Sequence, residues 1–280
     1  MKLKTSVALF TIFSALQIAA VPNWCALTLP KSGTNLILKL CKLLANNSKQ
    51  PHMHISALNC NIEHKDRFNL SDSSQPKPSL KLYWGHAWNI SKNGITSSSL
   101  SPNGQRLDIL IHNRAKLLLI VRDPREHLVS LLRSLKKPLN TKTLLWAIKN
   151  FPNLLKLQTG DSSFLHYKDI NECYRAYLQW HHAYSDTYVT HFEKLVGDKG
   201  GGDSAMQTEE IQRIANFLDI SLDRNQITDI SDELFGGTPT FKKGQIDSWK
   251  QYFTPQVKTL FKKVAGQLLI DLGYEEDLNW

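Results

Sequence analysis

The chain has 280 residues, 41% hydrophobic and 21% charged. That is enough for one substantial domain and excludes a collagen, a long coiled coil or a disordered tail. Its 34 Lys and Arg against 25 Asp and Glu give a formal net charge of +9. No basic run, zinc-finger spacing or helix-turn-helix phrase accompanies it, so nucleic acid is set aside. A basic surface, an anionic membrane or a polyphosphorylated nucleotide remain as explanations of the charge.

At the start, Lys2 and Lys4 precede an apolar run over residues 7–20, interrupted by Thr11, Ser14 and Gln17. A basic start and a short apolar core fit an export signal cleaved near Ala20. The alternative is an amphipathic first helix of the folded domain. The run is short for a bilayer span, and no later segment reads as transmembrane. The expected organisation is a signal peptide or N-terminal apolar helix at 1–20, then one domain over 21–280. The protein is secreted if the signal is cleaved and cytoplasmic otherwise. Cys25, Cys41, Cys60 and Cys173 match no metal-site spacing and read as buried thiols, with bridges left open for an exported protein.

Residues 24–29 are short and apolar, and residues 30–33, PKSG, interrupt them. Leu36, Ile37, Leu40, Leu43 and Leu44 then recur at helical spacing, so the order is strand, tight loop, helix. Residues 69–79 and 93–105 are rich in turn formers and read as surface excursions. Between them, residues 80–84 form a short strand followed by Gly85 and His86. The run KLLLIVR at 116–122 is the clearest buried strand, with Asp123 and Pro124 ending it. A helix is expected over 125–136, with Leu128, Leu131, Leu132 and Leu135 on its inner face. An aromatic helix follows at 171–186, then a strand at 188–192 and a glycine-rich turn at 197–203. Further helices are expected at 209–218 and 254–272, the last with Thr254 and Pro255 as cap and first position. Strands alternating with helices predict one mostly parallel sheet covered on both faces.

A loop between a buried strand and a helix aims backbone N–H groups, backed by the helix dipole, at an anion above the helix start. Gly33 lets a phosphate approach the backbone, Lys31 adds a point charge, and Ser32, Thr34 and Asn35 add polar side chains. The standard nucleoside-triphosphate loop GxxxxGK[ST] is absent, because lysine precedes the single glycine. A magnesium-dependent kinase is therefore a distant third reading.

The segment TLPKSGTN at 28–35 resembles the signature loop of the sulfotransferase family. Three further segments resemble family blocks in the family's order: VRDPREHLVS at 121–130, residues 189–202 after the aromatic helix, and TFKKGQIDSWK at 240–250. The matches run from about residue 24 to 273. The resemblance implies a P-loop-like α/β three-layer sandwich with a central, mostly parallel sheet flanked by helices. It also implies transfer of a sulfuryl group from 3'-phosphoadenosine 5'-phosphosulfate to a hydroxyl or amine, with no metal.

Carried over residue by residue, Lys31, Ser32, Gly33, Thr34 and Asn35 fall on the loop that holds the donor's 5'-phosphosulfate. Lys31 there would also offset charge on the leaving oxygen. Arg122 and Ser130 match the 3'-phosphate ligands, as do Lys242, Lys243 and Gly244 of the late loop. His86 falls on the family's catalytic histidine, a general base for the acceptor. Several positions depart from the family pattern: Asn35 stands where Thr is common, Lys242 where Arg is usual, Asp247 and Ser248 where a Gly-Asp pair is usual, Trp84 where cytosolic members have lysine, and Phe192 where they have tyrosine. Phe192 remains able to pack against adenine. The last two departures motivate a second reading, a nucleotide- or partner-binding protein of the same fold without catalysis.

The acceptor is expected to be a small molecule, a lipid or a carbohydrate. Its pocket is expected from residues 50–110 and 138–180, where Trp84, Trp88, Trp146, Phe151 and Trp180 are available. A homo-oligomer is left open.

Overall fold

The computed structural model describes residues 24–47, 54–57, 81–86, 115–238 and 244–280. The N-terminal apolar run, Cys60, Trp88, both surface excursions, Lys242 and Lys243 lie outside the described residues. Of residues 54–57 and 81–86, only the backbone is described.

Five parallel strands form one sheet in the order β2-β3-β1-β4-β5. They are β1 (Trp24–Thr28), β2 (His54–Ala57), β3 (Lys81–His86), β4 (Lys116–Val121) and β5 (Thr187–His191). Strand β1, which leads into residues 29–33, is therefore the middle strand, between β3 and β4. Strand β2 was not foreseen in the sequence, where HISA is too short and mixed to show a period.

The strand residues alternate between two cores, as the period of two requires. Cys25, Leu27, Leu117, Leu119 and Val121 face one side. There they pack against α2 (Pro124–Ser134), α3 (Thr141–Lys149), α4 (Phe151–Thr159), α5 (Ile170–Ala183) and α8 (Pro255–Asp271). Trp24, Ala26, Leu118 and Ile120 face the other side. They meet α1 (Thr34–Asn47), α6 (Ser204–Phe217) and α7 (Arg224–Leu234). The result is the three-layer α/β sandwich with a parallel sheet expected from the sequence.

Helix starts follow local capping chemistry. Asp123 accepts the Arg125 N–H at the head of α2, and Asp203 accepts the Met206 N–H at the head of α6. Asp223 and Gln226 form a reciprocal capping box at α7. Thr254 holds the cap position of α8 without a side-chain cap bond, leaving Pro255 to preset the first turn. Cys25, Cys41 and Cys173 are buried free thiols. Among the described residues, no helix is long and apolar enough to cross a membrane.

Candidate active site

Every described candidate on the sheet lies at the carboxyl end of a strand or just beyond it. Thr28 ends β1, and its register partners are His86 at the end of β3 and Ile120 near the end of β4. Adjacent strands lie about 4.8 Å apart, so the His86 backbone is one strand spacing from Thr28, the root of the loop after β1. Arg122 follows β4 and Phe192 follows β5. This edge is where parallel α/β sheets bind ligands.

The loop from Leu29 to Gly33 is tightly wound. Lys31 has φ 72° and Gly33 φ 129°, both on the side of the map that L side chains rarely occupy. A Cβ on Gly33 would stand 2.7 Å from Ile120 Cδ1 and 3.0 Å from Phe192 Cδ2. Only glycine therefore fits between the loop and the ends of β4 and β5. Ser32 is fully buried, and both its N–H and its hydroxyl donate to the Leu29 carbonyl, at 3.1 and 2.8 Å. Its side chain thus braces the loop from inside. Thr28 and Thr34 close the loop's base, their hydroxyl oxygens 2.7 Å apart. Helix α1 begins at Thr34, so its N-terminus faces the same edge.

Arg122 reaches across from the next strand. Its two terminal nitrogens each lie 3.4 Å from a carbonyl oxygen, Nη1 from that of Lys31 and Nη2 from that of Gln245. Its Cζ stands 4.1 Å from the centre of the Phe192 ring. Nε is buried without a partner among the described residues. One guanidinium therefore touches the loop after β1, the segment after Gly244 and the residue after β5. Gly244 itself has φ 60°. Ser130 is half-buried on α2.

Beneath this edge lies a layer of buried charge that sequence reasoning missed. Glu126 accepts the Ser248 hydroxyl at 2.6 Å and the Trp249 N–H at 2.8 Å, and stands 3.7 Å from both Arg122 and Arg133. It thereby fixes the late segment to α2. Arg125 binds Asp123 and Glu275 and stacks between Trp249, at 3.9 Å, and Trp280, at 4.5 Å. Glu193 accepts the Asp123 N–H at 2.9 Å and the Tyr274 hydroxyl at 2.8 Å. Burial pushes its carboxyl up to about 7, with the Asp123 charge adding to the effect. The one available signal was a cluster of charged residues, RDPRE, directly after an almost entirely apolar strand. Such residues are buried only when paired.

The aromatic helix supplies polar tips to the same edge. Tyr174 and Tyr177, one turn apart on α5, reach the ends of β4 and β1. Phe151 and Trp180, considered as pocket walls, are fully buried in the core, whereas Trp146 is exposed. The first two are packing residues, leaving Trp146 accessible among the aromatics described in 138–180.

A family model described as "Sulfotransferase domain" matches residues 25–235. Among solved structures, mouse sulfotransferase SULT7A1 complexed with PAP resembles this chain with a TM-score of 0.56 and 14% identity, over 91% of this chain and 90% of that one. Retinol dehydratase in complex with androsterone and inactive cofactor PAP gives 0.48 and 16%, over 89% and 81%. A sulfotransferase from Alicyclobacillus acidocaldarius gives 0.45 and 12%, over 90% and 96%. No curated protein matches. The likeness to the mouse protein is one of fold.

Proposed function

This chain belongs to the sulfotransferase family and is a sulfotransferase, and from that premise we propose that its donor is 3'-phosphoadenosine 5'-phosphosulfate, held at the carboxyl edge of the sheet. The observation that carries this reading is the contact of Arg122 with both the Lys31 and the Gln245 backbone. It puts a cation for one phosphate beside a loop for another, as a nucleotide with separate 5' and 3' anionic groups needs.

In this reading the acceptor's hydroxyl or amine attacks sulfur in line. The bond between sulfur and the bridging oxygen breaks, and the electron pair leaves on the 5'-phosphate of adenosine 3',5'-bisphosphate. Lys31 and the head of α1 offset the charge that develops there. His86 takes the acceptor's proton, a role supported by the register of its backbone against Thr28. The 3'-phosphate goes to Arg122, Ser130, Lys242, Lys243 and Gly244. Phe192 lies against the nucleotide side of the loop. The acceptor is a small molecule, a lipid or a carbohydrate.

Calorimetric titration with adenosine 3',5'-bisphosphate tests the donor. Binding that is lost in Arg122→Ala supports the reading, and no binding at millimolar ligand overturns it. An acceptor screen with labelled donor tests the chemistry. Transfer that disappears in His86→Ala supports the general base. A second reading, nucleotide binding without catalysis, is favoured by Trp84 standing where related enzymes carry lysine. Any transfer above background excludes it.

A further inference from the structure

His127 stands between the two halves of the site. It is fully buried on α2, edge-on to Phe151 with ring centroids 5.2 Å apart. Its Nε2 lies 2.6 Å from the Pro30 carbonyl oxygen, inside the phosphate loop. Its Nδ1 lies 2.7 Å from the Tyr174 hydroxyl oxygen, which lies 2.9 Å from the Arg122 carbonyl oxygen. An unbroken buried chain of polar contacts therefore runs from Pro30 to Arg122.

The protons in that chain can be counted. Burial holds the imidazole neutral, its pKa lowered to about 3, and the Arg122 and Lys31 charges push the same way. Burial also keeps the Tyr174 phenol protonated. One imidazole N–H and one O–H thus serve three contacts. With the proton on Nε2, His127 donates to Pro30, and the single Tyr174 O–H is shared between the Arg122 carbonyl and the Nδ1 lone pair. With the proton on Nδ1, Tyr174 donates to Arg122, but the Nε2 lone pair then faces the Pro30 oxygen at 2.6 Å. Two buried acceptors at that distance repel, so the Nε2–H form is favoured.

We propose that His127 is a positioning residue that holds the Pro30–Gly33 loop in register with the Arg122 strand end, so that the two phosphate grips close on one nucleotide together. Alignment matters because a bisphosphate gains from its second contact only if both sites are spaced for one rigid ligand. This inference rests on the two-phosphate reading above.

The test compares wild type, His127→Phe and His127→Gln. Phenylalanine keeps a ring against Phe151 and removes both polar contacts, whereas glutamine keeps a donor near the Nε2 position. Calorimetry with adenosine 3',5'-bisphosphate, 5'-AMP and 3'-AMP reads the result. The expected outcome is a loss of about 10-fold in bisphosphate affinity for the phenylalanine variant, with each monophosphate changed by less than about 3-fold and glutamine restoring most of the loss. Unchanged bisphosphate binding overturns the proposal. So does an equal fall for all three ligands in both variants, which marks a purely structural role. If wild type binds no bisphosphate, the proposed function fails, and hydrogen exchange of the free protein decides the inference separately. Faster exchange at residues 29–35 in the phenylalanine variant alone supports the tie, and unchanged exchange overturns it.

Discussion

The Arg122 guanidinium lies over the Phe192 ring, 4.1 Å from its centre, and the same ring stands 3.0 Å from where a Gly33 Cβ would be. The aromatic residue after β5 is thus a floor for both the arginine and the loop. This arrangement fixes the arginine's direction by stacking together with the buried Glu126 carboxylate, 3.7 Å away.

Replacing Arg122 separates charge from shape. Arg122→Ala is expected to weaken adenosine 3',5'-bisphosphate binding by about 100-fold, because a charge-assisted pair is lost. Arg122→Lys restores the charge but neither the fork nor the stacking, so it recovers part of the loss. Binding of 5'-AMP, which lacks the 3'-phosphate, changes little in either variant. Calorimetry on the three proteins reads the difference, and an equal loss for both ligands would contradict it.

Gly33→Ala probes the loop from the other side. The new methyl meets Ile120 Cδ1 at 2.7 Å, and φ of 129° disfavours any L side chain. The Ile120 side chain is buried and cannot swing away, so the loop has to move. The expected result is a loss of nucleotide affinity of at least about 10-fold with a midpoint of thermal unfolding lowered by a few degrees. Unaltered affinity would show that the loop geometry is not needed for binding.

Glu193 makes stability fall with rising pH. Its folded carboxyl titrates near 7 against 4.5 in the unfolded chain, so the native state holds more protons between those values. The stabilisation is fully present below about 4.5 and is lost as pH rises through about 7. Glu193→Gln keeps an acceptor for the Asp123 N–H and a partner for Tyr274 without the charge. Relative to wild type it is expected to gain stability between pH 5 and about pH 7, by on the order of 2 kcal/mol, and to level off above that. Urea denaturation at several pH values checks this, and a pH-independent difference between the two proteins rules it out.

How much of this was legible in the sequence depended on whether a residue's role was written in its neighbours. Strands β1 and β4 and helices α1 and α2 were plain, because each pairs an apolar run with a local stop. Helices α3 and α4 were not, since Asn150 and Pro152 look like breakers and prove to be a shared cap and a first-turn proline. Helix α7 was hidden because it buries only Ile230 and Leu234 among polar residues. The strand-loop-helix order and the arginine at the end of β4 were readable from TLPKSGTN and VRDP. Glu126, His127 and Glu193 were not, because their partners lie far away in the chain, at Trp249, Pro30 and Tyr274. Only the folded topology brings those pairs together.

Tyr177 offers the last prediction, because its hydroxyl meets the backbone of two strands at once. The Ile120 N–H donates to it at 2.9 Å, and it lies 2.8 Å from the Leu27 oxygen and 3.0 Å from the Ile120 oxygen. The side chain thus ties β4 to β1 at the point where the strands turn into the site. Tyr177→Phe removes these contacts and leaves buried backbone groups with one partner fewer. The expected cost is about 1–3 kcal/mol of stability, that of under-satisfied buried groups. It is read as a lowered urea midpoint with nucleotide affinity preserved, because Ile120 is fully buried and packs against Gly33 and the core, which holds the loop root in place. An unchanged midpoint with reduced affinity would contradict it.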